Sequence, residues 1–243
     1  MLSEREQLER DLLAIIRDSS QPMGCGNLRQ MLAGRGHTIS EATVGRFLRD
    51  LDNLNYTDKA GFQGRLLSAK GLARLTELEN KERSLQWGAE FSNALRGHTK
   101  DQLLEILVAR RAIESELAYL AARNRTDEEA GQMQAVLEMQ RQALAEGGTA
   151  AAEDVDFHSC IARAARNRVL GSAIAFIRQD TQLSPVLEYI RRHVKSMVYI
   201  DHQRITEAIA AGNADAARQA MVEHINNLIK DVEKYWKLIE KHK

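Results

Sequence analysis

From Asp101 to the end of the chain, apolar residues recur at three- and four-residue intervals and nothing alternates with the two-residue period of a strand. Leu103, Leu104, Leu107 and Val108 open this pattern, and Ala217, Met221, His224 and Leu228 close it in the last helical stretch. Only two prolines occur in 243 residues, so little interrupts a helix. The rear of the chain is therefore expected to be an all-α antiparallel helical bundle. Its helices are expected over roughly 101–124, 126–145, 151–166, 169–179, 184–211 and 214–241, with Thr126 and the acidic run after it marking one start.

The front has a different rhythm. Helical patterns are expected over 3–18, 27–33 and 40–53, the last with Val44, Phe47, Leu48 and Leu51 on one face. Then "YTDKAGFQGRLLSAKG" reads as two short extended pieces around Gly61 and Gly64. Three helices and a hairpin predict a winged helix-turn-helix, the alternative being a small domain with a surface ribbon. The expected organisation is a winged-helix domain over 1–76, a linker helix over 77–98 with a boundary near Gly97 and His98, and a helical domain over 99–243.

Zero formal net charge excludes a uniformly basic coat, yet residues 24–76 carry eight Lys/Arg against four Asp/Glu. Polyanion binding is expected there. In a helix-turn-helix the second helix enters the major groove, so Ser40, Thr43, Arg46 and Arg49 are the candidate DNA-contacting residues. Arg65 is the candidate on the wing, flanked by Lys59 and Lys70. The opening "MLSEREQLER" is too polar for a signal peptide, no apolar run is long enough to cross a bilayer, and a cytoplasmic protein is expected. Cys25 and Cys160 have no ligand-like spacing and are given no role.

The chemistry sits in "DVDFH". Asp154 and His158 are four apart and share a helix face, as a solvated polar strip or as half of a metal site. His202 in "YIDHQRITEAI" and His224 in "AMVEHINNLI" are each embedded among apolar positions. Buried imidazoles beside a carboxylate suit a divalent transition metal.

Two resemblances follow from these segments. "GRGHTIS", "LRDLDNL" and "GFQGR", within residues 15–75, resemble the winged-helix domain of some ribonuclease R proteins and archaeal-type regulators. "ARRAIESELAYLAARNRTDEEAGQMQ", "DVDFHSCIARAARNRVL" and "DHQRITEAIAAGNADAARQAMVEHI" resemble the effector-binding domain of FadR-type GntR transcription regulators. That likeness implies metal ligation by Asp154, His158, His202 and His224, with zinc, nickel or manganese as the ion. It also implies that Arg110 contacts the carboxylate of a small organic acid effector, that Arg111 is its exposed neighbour, and that Asn167 caps a helix. The front lacks the family's usual winged-helix signature, so operator preference does not transfer. The expected function is a homodimeric, ligand-responsive regulator of double-stranded operator DNA and not an enzyme. The alternatives are a metal-dependent enzyme acting on a small carboxylate and an RNA-binding factor.

Overall fold

The computed structural model describes residues 1–96, 99–179, 183–196 and 198–241. It divides into two compact units, Met1–Ser92 and Asn93–Lys243. The boundary expected at Gly97 and His98 lies outside the described residues.

The first unit runs α1 (Glu4–Asp18), α2 (Cys25–Gly34), α3 (Glu41–Asn53), β1 (Thr57–Lys59), β2 (Arg65–Leu67) and most of α4 (Ala69–Leu95). Ser3 and Glu6 close a capping box on α1, and the Ser40 hydroxyl accepts from the Thr43 N–H to start α3. Val44, Leu48 and Leu51 then turn inward on Leu12, Ile16, Leu28 and Leu75. The strands pair antiparallel with Lys59 opposite Arg65. Arg65 also exchanges backbone hydrogen bonds with Met23, at 3.0 and 3.1 Å, so the wing is pinned to the loop between α1 and α2. Gly64, at φ 134°, is needed there because a Cβ would overlap the Met23 carbonyl.

Gly71 plays a similar part at the start of α4, where a Cβ would overlap the Tyr56 carbonyl oxygen. Its N–H donates to the Ser68 hydroxyl at 2.9 Å, and that hydroxyl donates to the Asn55 carbonyl at 2.7 Å. Gly71→Ala is expected to destabilise this unit by about 1–3 kcal/mol, the usual scale of overpacking. Urea denaturation of the variant checks this, and an unchanged midpoint would refute the close approach.

The second unit contains α5 (Lys100–Asn124), α6 (Asp127–Ala145), α7 (Ala151–Ala164), α8 (Arg168–Arg178), α9 (Leu183–Val194), α10 (Val198–Ala210) and α11 (Ala214–Glu240). It has no strand among the described residues. Helix α11 packs along α5 and against α9 and α10, while α7 packs on α5 and α6. Leu107, Leu117, Phe157, Ile161, Ile205, Met221 and Ile225 fill the middle. Thr99 and Thr126 each form a capping box, and Asn167 caps α8 through the Leu170 N–H.

The single helix expected over 184–211 is two. Lys195 takes a left-handed φ of 58° and the Ser196 N–H reaches back to the Arg191 carbonyl at 3.0 Å, a Schellman-type stop. Apolar spacing continues across the break and conceals it, because no glycine or proline marks the position.

Candidate metal centre

Helix α7 contributes Asp154 and His158, α10 contributes His202 and α11 contributes His224. The three imidazoles are buried, and their nearest nitrogens lie within 4.8 Å of one another. Asp154 Oδ1 is 3.9 Å from His158 Nε2 and 3.6 Å from His202 Nε2. The three histidines that the sequence nominates are thus brought together, with Asp154 against His158 and His202. Phe157 stacks on His202 at 4.2 Å between ring centroids and closes the apolar side.

On its Nδ1 side each imidazole meets an acceptor. His202 Nδ1 is 2.8 Å from Gln140 Oε1, His224 Nδ1 is 3.6 Å from Asp201 Oδ2, and His158 Nδ1 lies against Glu114 Oε2. Asn227 steadies Asp201 through its amide. Such partners favour a proton on Nδ1 and leave the Nε2 lone pair facing the centre, as outer partners of metal-bound histidines do. The Nε2 atoms of His158, His202 and His224 are all buried without a hydrogen-bond partner. Three converging orphan nitrogens are costly unless a cation satisfies them. Burial pushes the pKa of His158 down to about 4 and lowers those of His202 and His224, so the imidazoles are neutral, the form that ligates metal. This donor set of three imidazoles and a carboxylate can hold a divalent ion.

A ring of buried charge surrounds the ligands. Arg178 donates to Asp154 Oδ2 at 2.6 Å, and Arg191 Nη1 is 3.5 Å from Asp154 Oδ1. Burial opposes ionisation of Asp154, but Arg178 and Arg191 outweigh it and hold the carboxyl well below the usual carboxylate range. Burial likewise opposes ionisation of Glu114, and there Arg110 and His158 prevail. Sequence reasoning did not assign Arg178, Arg191, Glu114, Gln140 or Asp201. For two of them a signal existed: Arg178 is four residues after Ile174 and Arg191 four after Leu187, so each continues a buried stripe.

Arg110 is 1% exposed, and its Nε donates to Glu114 Oε1 at 2.5 Å. It is absent from the lining of a cavity of about 230 Å³ that reaches the centre at Asp154, Gln140 and Arg191. Arg111 is half-buried and donates to Asn226 at 2.7 Å, so it is not the exposed neighbour expected.

In the first unit Ser40, Arg46 and Arg49 are exposed and Thr43 is half-buried. Arg46 Nη2 rests on the Thr43 hydroxyl at 3.3 Å. Arg65 lies on the wing, at the start of β2. Its Nε and Nη2 both engage Asp52, at 2.9–3.1 Å. Lys59 on β1 stays largely exposed, 3.6 Å from the same carboxylate.

A family profile described as the FCD domain matches residues 105–227, half of the chain, and takes in every ligand above. The chain belongs to the FCD-domain family. The likeness of its rear to the effector-binding domain of FadR-type GntR regulators therefore holds. A second profile, the ribonuclease R winged-helix domain, matches residues 10–75. The Uxu operon transcriptional regulator of Escherichia coli is 30% identical over 131 residues, 51% of this chain and 51% of that protein. The chain thus spans about half the length of that relative. The HTH-type transcriptional regulator LutR of Bacillus subtilis is 28% identical over 175 residues, 67% of this chain and 78% of LutR. Among solved structures, McbR/YncC of Escherichia coli aligns over 97% of this chain and 100% of its own, with a TM-score of 0.50 and 19% identity, and shares the fold. None of the helices, among the described residues, is long and apolar enough to cross a membrane.

Proposed function

We propose that this FCD-domain protein is a ligand-responsive transcription regulator in which the winged helix binds operator DNA and the helical unit binds a divalent metal and a small organic acid. The observation that carries the reading is the enclosed centre of three imidazoles and Asp154 beside a cavity, in a chain that also has a winged helix with Arg46 and Arg49 exposed on α3. Zinc suits three nitrogens and one oxygen, with nickel or manganese as alternatives. Bound there, the ion would supply positive charge to attract a carboxylate. Asp154 and His158 from α7, His202 from α10 and His224 from α11 would hold it. An acid that prefers one arrangement of these helices shifts DNA affinity, and DNA shifts acid affinity by the same factor. Coupling through α4 is part of this proposal.

Catalysis is disfavoured by the placement of the carboxylates. Asp154, beside the Nε2 atoms of His158 and His202, and Glu114, on the Nδ1 side of His158, are each tied to arginine, which leaves neither as a free general base. The supported readings of the protein therefore centre on binding. A single winged helix reads a short half-site, so two copies on paired half-sites are expected.

Selection of duplex DNA from a random pool, followed by affinity measurement, tests the DNA end. Arg46→Ala is expected to cost about 1–3 kcal/mol if the residue reads a base edge, with two protein copies per site by light scattering. Arg49→Ala should act more evenly across sequences and reduce the salt slope by about one if it meets phosphate. Unchanged affinity in both variants would remove α3 as the recognition helix.

A further inference from the structure

Among the charged and amide side chains lining the cavity beside the metal centre, all but Arg191 have their polar groups engaged. Gln140 is bonded to His202. Glu188 accepts from the Ala150 N–H at 3.1 and 3.2 Å and pairs with Arg192 at 3.2 Å, so the charge of Arg192 is already answered. Asp154 is held by Arg178. Arg191 is the exception: it lines the cavity, is 8% exposed, and its Nε is buried without a partner. One anionic end is therefore provided for, between Arg191 and the ion. Glu188 on the same wall repels a second.

The rest of the lining is largely hydrocarbon, from Leu144, Ala150, Ala151, Leu187 and Ile200 together with the ring of Tyr199. The hydroxyls of Ser184, Ser196 and Tyr199 are too few for a polyhydroxylated body, each of whose buried groups would need a partner. At about 230 Å³ the space is below the ~300–1,000 Å³ of pockets for drug-sized molecules.

We propose that the ligand of this cavity is a small monocarboxylic acid with an apolar body, its carboxylate on Arg191 and the ion and its hydrocarbon part along Leu187, Ala151 and Ile200. This rests on the acid-binding function proposed above and narrows it, and it moves the carboxylate contact from Arg110 to Arg191.

Calorimetric titration of the full-length, zinc-loaded protein with acetate, butyrate, hexanoate, gluconate and succinate tests it. Affinity should rise from acetate to hexanoate by about four-fold per methylene, the ratio that ~0.8 kcal/mol per buried CH₂ implies. Hexanoate should bind more tightly than gluconate, which has the same carbon count. Ala151→Leu, with unchanged zinc content as the check on folding, should flatten the series by filling the space. Arg191→Gln should weaken hexanoate far more than Arg110→Gln does. A flat series in the unaltered protein, or gluconate or succinate binding as tightly as hexanoate, overturns the apolar ligand while leaving an acid-binding centre. Absence of binding by every acid overturns both readings.

Discussion

Chelation of the bound ion is expected to lower the stability of the helical unit by about 4 kcal/mol, the linkage value for free metal held at ~1,000 times its dissociation constant. The reason is local. His158, His202 and His224 are 3%, 0% and 0% exposed, and their Nε2 atoms converge without partners, so loss of the ion leaves three buried polar groups unsatisfied. Calorimetric melting of zinc-loaded and chelator-treated protein reads the difference directly. Elemental analysis should find about one ion per chain, and a His202→Ala, His224→Ala double variant should carry none. Coincident melting curves, or equal metal in both proteins, would eliminate the centre.

Asp154→Ala in metal-free protein should cost about 3–5 kcal/mol, because it strands Arg178 and Arg191 in the interior without their shared carboxylate. Asp156→Ala, two residues away on the exposed face of α7, is the internal control and should change stability by no more than about 0.5 kcal/mol. Urea denaturation of the two variants gives the comparison. Equal midpoints would mean that the charges around Asp154 are solvated and that the buried ring does not hold the site together. Adding Arg178→Met to Asp154→Ala should recover part of the loss, since replacing both partners of a buried pair by apolar groups is often nearly neutral.

Much of the site was legible before folding because helical periodicity is local information. Four-residue spacing places Asp154 and His158 on one face, and the apolar neighbours of His202 and His224 mark those imidazoles as buried. The caps at Ser40, Thr126 and Asn167 are short-range chemistry and appear where the residues suggest. The break at Lys195 was hidden, because a left-handed lysine has no compositional mark of the kind glycine supplies.

Arginine roles were the least legible. Arg65 reads as a wing cation and Arg110 as a ligand contact, and the sequence gives no sign that the first also pairs with Asp52 and the second with Glu114. Both partners lie close in sequence, but an arginine's long side chain reaches solvent or a neighbour equally well, and only the surrounding burial decides between them. Arg178 and Arg191 show the same in reverse: each sits on an apolar stripe, and its value to the site exists only once α8 and α9 bring it to Asp154 on α7. The sequence by itself determined the helical bundle, the winged helix and the four candidate ligands, because periodicity, capping and turn residues act within a few positions of one another. The tertiary structure alone decided which charges are buried together, which acceptor orients each imidazole and which arginine faces the cavity, since those depend on distances between groups far apart in the chain, such as Gln140 and His202, that no local pattern encodes.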